Sequence, residues 1–291
     1  MNIFKKYINP ILKKKKRKIK RKINFSFELF PSSKLILKKN FISSINKINS
    51  LNPTFISVTH RSNNKKKNNT YNFIKTIKNY INSQLVPHIT CINNTREELK
   101  NIIKKYLNKK IKHVIALRGD SLKLNKKYKI YAIDLIILLK KISDFYISVA
   151  AYPEVHPEAK SERFDLINLK NKFDAGADQA ITQFFFDIET FLRFRDKCSG
   201  IGIKKKIIPG ILLINNFNQV YKFCLFSNIY LPKWIKNLYL KSNNFKDNTI
   251  GLNIAINMIK SLYKEGVYDF HIYTLNKLNF SYSVCNAINL N

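Results

Sequence analysis

Glycine is scarce in this chain of 291 residues: there are seven, and none falls into a GxGxxG pattern. That excludes the usual phosphate-binding turn of a dinucleotide-binding sheet. Cysteine is equally thin. Cys91, Cys198, Cys224 and Cys285 lie far apart, with no CxxC pair and no histidine at zinc-ligand spacing. A disulfide framework and a structural zinc site are therefore not expected, no metal site is assigned, and the four thiols read as reduced core residues of a cytoplasmic protein. No apolar run approaches the roughly 20 residues that cross a bilayer, and the N-terminus lacks a secretory signal, so no membrane partner is expected. Acidic residues are few as well, 18 against 53 Lys and Arg, which gives a formal net charge of +35. Such a balance normally points to nucleic acid. Yet only eight of the 53 are Arg, and Asn and Ile are inflated alongside Lys. These three share AT-rich codons, and a selected phosphate-binding face uses Arg for its bidentate fork. The charge is read as compositional drift, and nucleic acid is not expected as a partner.

What is present is a chain able to bury a large core, 45% hydrophobic and 13% aromatic. Residues 1–23 form a basic block that reads as a leading helix or extension; a nucleic-acid arm and a targeting helix are the alternatives. From residue 24 to 291, eight short β-rich runs alternate with stretches of helical periodicity. The runs are 24–30, 55–59, 86–91, 113–117, 147–152, 180–184, 206–212 and 270–274. In the stretch 95–109, Leu99, Ile102, Ile103, Tyr106 and Leu107 make one apolar stripe, and Thr95 with Glu98 spells a capping box. Eight strand–helix units predict an α/β fold, a single-domain (β/α)8 TIM-type barrel. The longer interval 232–265 is expected to hold an extra helix. The polar stretch 61–69 reads as a loop of lid length.

Catalytic groups of such barrels sit at the C-terminal strand ends. There the sequence places Glu28, Thr59, His88, Arg118 with Asp120, Tyr152 with His156, Gln183, and Asn276 with Lys277. Glu28 stands out because its strand, FSFELF, is otherwise apolar. A carboxylate there costs several kcal/mol unless it is partnered or protonated. An ion pair inside the barrel is the alternative explanation. After the fifth strand, Asp165, Asn168 and Lys172 recur at i, i+3 and i+7 on one helix face. That row suits either surface pairing or a nucleotide's sugar and phosphates.

Eight blocks in order, FSFELFP, HIT, HVIALRGD, SVAAYPEVHPEAKS, DAGAD, AITQFFFD, IIPGIL and DFHIYTLN, closely resemble the bacterial 5,10-methylenetetrahydrofolate reductases over nearly the whole chain from about residue 24. The resemblance implies a flavoprotein barrel that carries a hydride from NAD(P)H, with NADH expected, through FAD to methylenetetrahydrofolate. The product, 5-methyltetrahydrofolate, supplies methyl groups for methionine synthesis, and the kinetics would be ping-pong. It implies Glu28 as general acid and Asp120 as a carboxylate beside flavin and pterin. Gln183 would be the pterin partner, and Gln219 and Lys277 would meet the folate tail. It implies FAD contacts at Thr59, His60, His88, Arg118, Gly119, Asp120, Ala132, Tyr152, His156, Asp165, Asn168 and Lys172. A homo-oligomer without inhibition by S-adenosylmethionine is expected. Two departures from the family pattern bear on the site. Thr59-His60-Arg61-Ser62 replaces the usual Thr-Tyr-Gly-Ala, and Lys277 stands where an Arg is common. Another flavin barrel, such as a proline dehydrogenase, and a repurposed nucleic-acid-binding barrel are the competing interpretations.

Overall fold

In a computed structural model, residues 21–32, 39–60, 69–119, 130–242 and 244–289 are described. Almost all of the expected leading helix and the loop 61–68 lie outside these residues; Arg21–Ile23, which are described, are not helical. The strands are β1 (Asn24–Leu29), β2 (Phe55–Val58), β3 (Gln84–Thr90), β4 (His113–Leu117), β5 (Tyr146–Ala151), β6 (Gln179–Phe184), β7 (Lys206–Leu212) and β8 (Asp269–Tyr273). All eight predicted strands form, their ends moved by at most two residues. They pair in sequence order, all parallel, and β1 pairs with β8 to close the barrel. The helices are α1 (Lys39–Ser50), α2 (Asn69–Ile77), α3 (Arg96–Leu107), α4 (Ala132–Ile142), α5 (Glu162–Asp174), α6 (Ile188–Gly200), α7 (Phe217–Ser227), α8 (Lys233–Ser242), α9 (Asn248–Lys264) and α10 (Leu278–Asn289). α8 is the extra helix expected before the last strand.

Alternation along each strand divides the side chains into two sets. Outward residues such as Phe25, Phe27, Ile56, Val114, Val149 and Ile272 are buried under the helices in one continuous apolar layer. Burying each such side chain contributes about 1.5–3 kcal/mol. The helices turn their stripes onto that layer. In α3, Leu99, Ile103 and Tyr106 are buried, and the Thr95–Glu98 capping box forms as read from the sequence. The four cysteines are free and buried.

Inward residues fill the barrel and are strikingly mixed in polarity for a core. Phe55, Val86, Ile115, Ile181 and Ile208 make a small apolar plug. Toward the N-terminal strand ends it is joined by a hydrogen-bonded floor. His271 lies 2.8 Å from Ser26 through Nδ1 and 3.5 Å from Ser57 through Nε2. His113 reaches Gln84 (3.3 Å) and Ser148 (2.8 Å), and Gln179 donates to the same Ser148 hydroxyl (2.8 Å). The chemistry-bearing side chains lie above this floor, at the opposite mouth.

Candidate active site

Glu28 points into the barrel from β1, beside Ser57 of β2 and Tyr273 of β8. It is 7% exposed. Burial raises its pKa to about 8, because taking a carboxylate out of water disfavours the charged form. Its Oε2 lies 3.6 Å from His88 Nε2 of β3. Burial also drives His88 down to about 3, with His60 adding to the shift. An ion pair would need both groups charged, while burial favours the neutral form of each. Burial thus favours a protonated Glu28 beside a neutral imidazole over a barrel ion pair. This is the environment of a carboxylic acid that donates a proton near pH 7.

The mouth is incompletely satisfied. His88 Nε2 and the Thr59 hydroxyl are buried without a hydrogen-bond partner among the described residues. His60 Nδ1 sits 2.7 Å from Thr90 Oγ1, and burial lowers its pKa. Buried polar atoms left alone cost about 1–3 kcal/mol each, so such orphans mark places where a further polar group completes the site.

Between β4 and β5 the chain builds a cationic rim. Arg118 directs its fork onto Glu158, at 2.5 and 2.8 Å. Glu158 is exposed and its carboxyl is held below the usual range by that hydrogen bond. It occupies the fork as a phosphate would. Gly119, next in line, has φ +89°, and a Cβ there would come within 2.8 Å of Ile92 and 3.0 Å of Thr90. Only glycine lets the backbone pass here. Asp120 lies outside the described residues.

The row on α5 resolves into backbone anchors rather than surface pairs. Asp165 accepts from the His156 N–H at 2.9 Å, and Lys172 donates to the Ala150 carbonyl at 3.0 Å. Both bonds pin the loop after β5. Lys172 is buried, which lowers its pKa against the pull of Asp165. His156 accepts from the Glu158 N–H (3.0 Å) and packs edge-on against Tyr152, ring centres 4.6 Å apart. Asn168 is half-buried on the same helix, and Ala132 opens α4, also half-buried.

Gln183 is presented by an irregularity. The β6–β7 register slips between Ile181 and Phe184, and Gln183 Oε1 accepts from the Phe184 N–H at 3.0 Å. Tyr273 of β8 fixes this bulge, since its hydroxyl donates to the Thr182 carbonyl at 2.8 Å. To do so the ring crosses β7 at Gly210, where a Cβ would meet the Thr182 carbonyl at 2.3 Å and the ring at 2.4 Å. This brace was not read from the sequence. The signal available was that Tyr273 falls on the inward phase of β8, next to Glu28. The Arg118–Glu158 fork was also missed.

Gln219 and Lys277 are exposed, on the first turn of α7 and just before α10. Asn276 ties the strand ends together, accepting from the Phe30 N–H (2.9 Å) and donating to its carbonyl (3.0 Å). Of the expected site, Glu28, Thr59, His60, His88 and Gln183 share the mouth. Arg118, Tyr152, His156, Asp165 and Lys172 form the adjoining rim.

A family model described as methylenetetrahydrofolate reductase matches residues 12–289. The 5,10-methylenetetrahydrofolate reductase of Buchnera aphidicola subsp. Baizongia pistaciae is 50% identical over 270 residues, 92% of each chain. That of Escherichia coli K12 is 47% identical over 268 residues, 91% of this chain and 90% of its own. Among solved structures, an uncharacterized Clostridium thermocellum protein that binds two copies of 5-methyl-5,6,7,8-tetrahydrofolic acid superposes with a TM-score of 0.65 at 12% identity. The match covers 92% of this chain and 96% of that one. That likeness speaks to the fold.

Proposed function

The chain belongs to the methylenetetrahydrofolate reductase family, an oxidoreductase family, and from that premise we propose that it reduces 5,10-methylenetetrahydrofolate to 5-methyltetrahydrofolate with FAD as cofactor and NADH as reductant. The observation that carries this is Glu28, a buried acid held protonated at the barrel mouth. The residues around it suit a flavin nucleotide. Arg118 already grips an exposed carboxylate in the way it would grip a pyrophosphate oxygen, and Gly119, lacking a side chain, lets the backbone beside it pack closely on Ile92 and Thr90. Thr59 and His88 hold orphaned polar atoms. Bound FAD would supply hydride chemistry, taking a hydride from NADH and yielding it to the folate in turn, hence ping-pong kinetics.

The chain's own residues do the rest. Glu28 donates its proton to the folate amine nitrogen that leaves the five-membered ring, opening the ring to the acceptor form. Burial makes the proton available near neutrality, and His88, neutral beside it, leaves that proton in place. Gln183, held by the bulge and by Tyr273, offers an amide to the pterin and then to the nicotinamide. Asp120 would lie against the same ring system. Gln219 and Lys277 would meet the folate's glutamate. Asp165 and Lys172, with Asn168 between them, keep the β5 loop in place so that Tyr152 and His156 face the cofactor. Supply of methyl groups for methionine synthesis in the cytoplasm, by a homo-oligomer, completes the proposal.

Purification of the chain tests it. The expected result is a yellow protein with a flavin spectrum that bleaches with NADH and recovers when methylenetetrahydrofolate is added. Colourless protein that takes up no FAD, or reduced flavin indifferent to the folate, would overturn it.

A further inference from the structure

Val155, in the loop between β5 and α5, has a strained backbone. Its φ is +50°, in the left-handed region that a β-branched residue occupies only where its neighbours hold it there. On the downstream side the hold is given by His156, whose N–H donates to Asp165 at 2.9 Å and whose imidazole accepts from the Glu158 N–H. On the upstream side stands Glu154. One of its carboxylate oxygens accepts from the Tyr230 N–H at 2.6 Å. The other, Oε1, is buried with no hydrogen-bond partner among the described residues. Burial raises the pKa of this carboxyl; the Tyr230 N–H pulls it back down, and Asp187, the N-cap of α6, pushes it up again. A half-buried carboxylate near another acid is a costly group for a loop that needs only a surface turn.

Tyr230 belongs to another part of the mouth. It lies in the connection between α7 and α8, within the segment that follows β7 and carries Gln219 on the first turn of α7. The start of that segment is tied to α9, where Asn215 donates to Asn248 Oδ1 at 2.8 Å. β6, with Gln183 near its end, stands between β5 and β7 in the barrel. The Glu154–Tyr230 bond therefore reaches past one strand and joins two loops that the sheet leaves independent. We propose that Glu154 is a positioning residue that couples the flavin and folate sites. By gripping the α7–α8 connection it keeps Val155 in its strained form, and so presents Tyr152 and His156 to the flavin and α7 to the folate together. This rests on the flavin and folate reading above and adds to it a residue and a coupling.

The test measures FAD binding by the apoprotein and KM for methylenetetrahydrofolate in a set of variants. Glu154→Ala is expected to weaken FAD binding about tenfold, as loss of one hydrogen bond to a charged group partly open to water would, and to raise KM by a similar factor. At saturating FAD, kcat for NADH oxidation with an artificial acceptor should stay within about twofold of the parent. Glu154→Gln keeps an oxygen for the Tyr230 N–H and should recover most of both losses. Adding Val155→Gly to Glu154→Ala separates the two jobs, because glycine takes a positive φ without strain. FAD affinity is then expected to return while KM for the folate stays high. Unchanged FAD affinity and KM in Glu154→Ala overturn the proposal. So does recovery of both, or of neither, on adding Val155→Gly. Equal losses in Glu154→Ala and Glu154→Gln with a lowered melting temperature also overturn it, since that is loosening of the fold. A parent protein that binds FAD but never reduces the folate would sink the reductase reading, while the FAD titrations would still test the hold on Val155. Normal turnover with indifferent variants would do the reverse.

Discussion

In the lower half of the barrel both nitrogens of His113 and of His271 meet a side-chain partner. In the upper half His88 Nε2 and Thr59 Oγ1 meet none among the described residues, and Glu28 stands 3.6 Å from the imidazole. Both halves are buried and polar, and burial pushes all three imidazoles well below their ordinary pKa. The difference is completion. A polar group sealed into a core is tolerable when its bonds are made within the protein, and the floor makes them. The mouth leaves its bonds to be made by something else. Between these two inward-facing layers, unsatisfied atoms rather than polarity or burial mark the mouth, although Ser83 Oγ before β3 and Glu154 Oε1 after β5 are also buried without a partner among the described residues.

The comparison can be broken most sharply at Glu28. Glu28→Gln keeps shape and burial but removes the proton, and is expected to lower folate reduction by about 10²–10⁴ while NADH oxidation with an artificial acceptor persists. Equal loss of both half-reactions would make Glu28 part of the scaffold. In the unmodified protein folate turnover should fall as pH rises through about 8, where Glu28 loses its proton.

Next comes the brace. Gly210→Ala forces a methyl group against the Thr182 carbonyl and the Tyr273 ring. It should cost about 1–3 kcal/mol in stability, as overpacking does, and raise KM for the folate through Gln183. A chemical denaturation curve and a KM unchanged from the parent would show the brace to be slack.

Removing the floor should do the opposite. His271→Ala removes the imidazole from Ser26 and Ser57, which keep only the Phe270 and Phe27 carbonyls, and is expected to destabilise by about 2–3 kcal/mol, with the ratio of the two half-reactions unchanged. A selective loss of folate reduction would merge floor and mouth.

Stability against pH sharpens the contrast without mutation. His88, His113 and His271 stay neutral in the folded chain to about 3, 4 and 3, whereas in the unfolded chain they take up protons near 6.5. Stability is thus lost as pH falls below 6.5. Glu28 keeps its proton to about 8 when folded but releases it near 4.5 when unfolded, so its share of stability is lost as pH rises between those values. That share is on the order of 5 kcal/mol at most. These four groups place the maximum near pH 6.5 in apoprotein melts, and Glu28→Gln should flatten the alkaline limb above it and steepen the rise between 4.5 and 6.5. An unchanged alkaline limb would contradict the burial of an acidic proton.

The smallest effect is expected at the rim. Glu158→Ala removes one partner from the Arg118 fork, and because the pair is largely exposed, FAD affinity should rise only a fewfold. A fall in affinity would mean that Glu158 orients the arginine rather than competing for it.

Much of this could be read from the chain. Strands show as β-rich runs separated by helical periodicity, and Glu28 is conspicuous because one acid interrupts an apolar alternation. Thr95 and Glu98 announce a helix start that forms as spelled. Tyr273 with Thr182, and Arg118 with Glu158, could not be read in the same way. Their partners lie 91 and 40 residues apart, and pairing at that separation depends on barrel register and on a bulge that no local pattern encodes. Asp165 and Lys172 were visible as a row, but backbone anchoring and surface pairing have the same spacing. Asp120 and the substituted loop at Arg61-Ser62 lie outside the described residues.

Closure of the barrel joins β1 to β8, and Thr274 donates to the Glu28 carbonyl at 2.6 Å across 246 residues of sequence. Synthesis proceeds from the other end. While the chain is being made, β1 keeps one bare edge until β8 has been added, and Glu28 waits on that edge. The proton-bearing environment of Glu28 is thus among the final things folding creates, and a truncated chain would carry an ordinary, ionised glutamate on an open sheet.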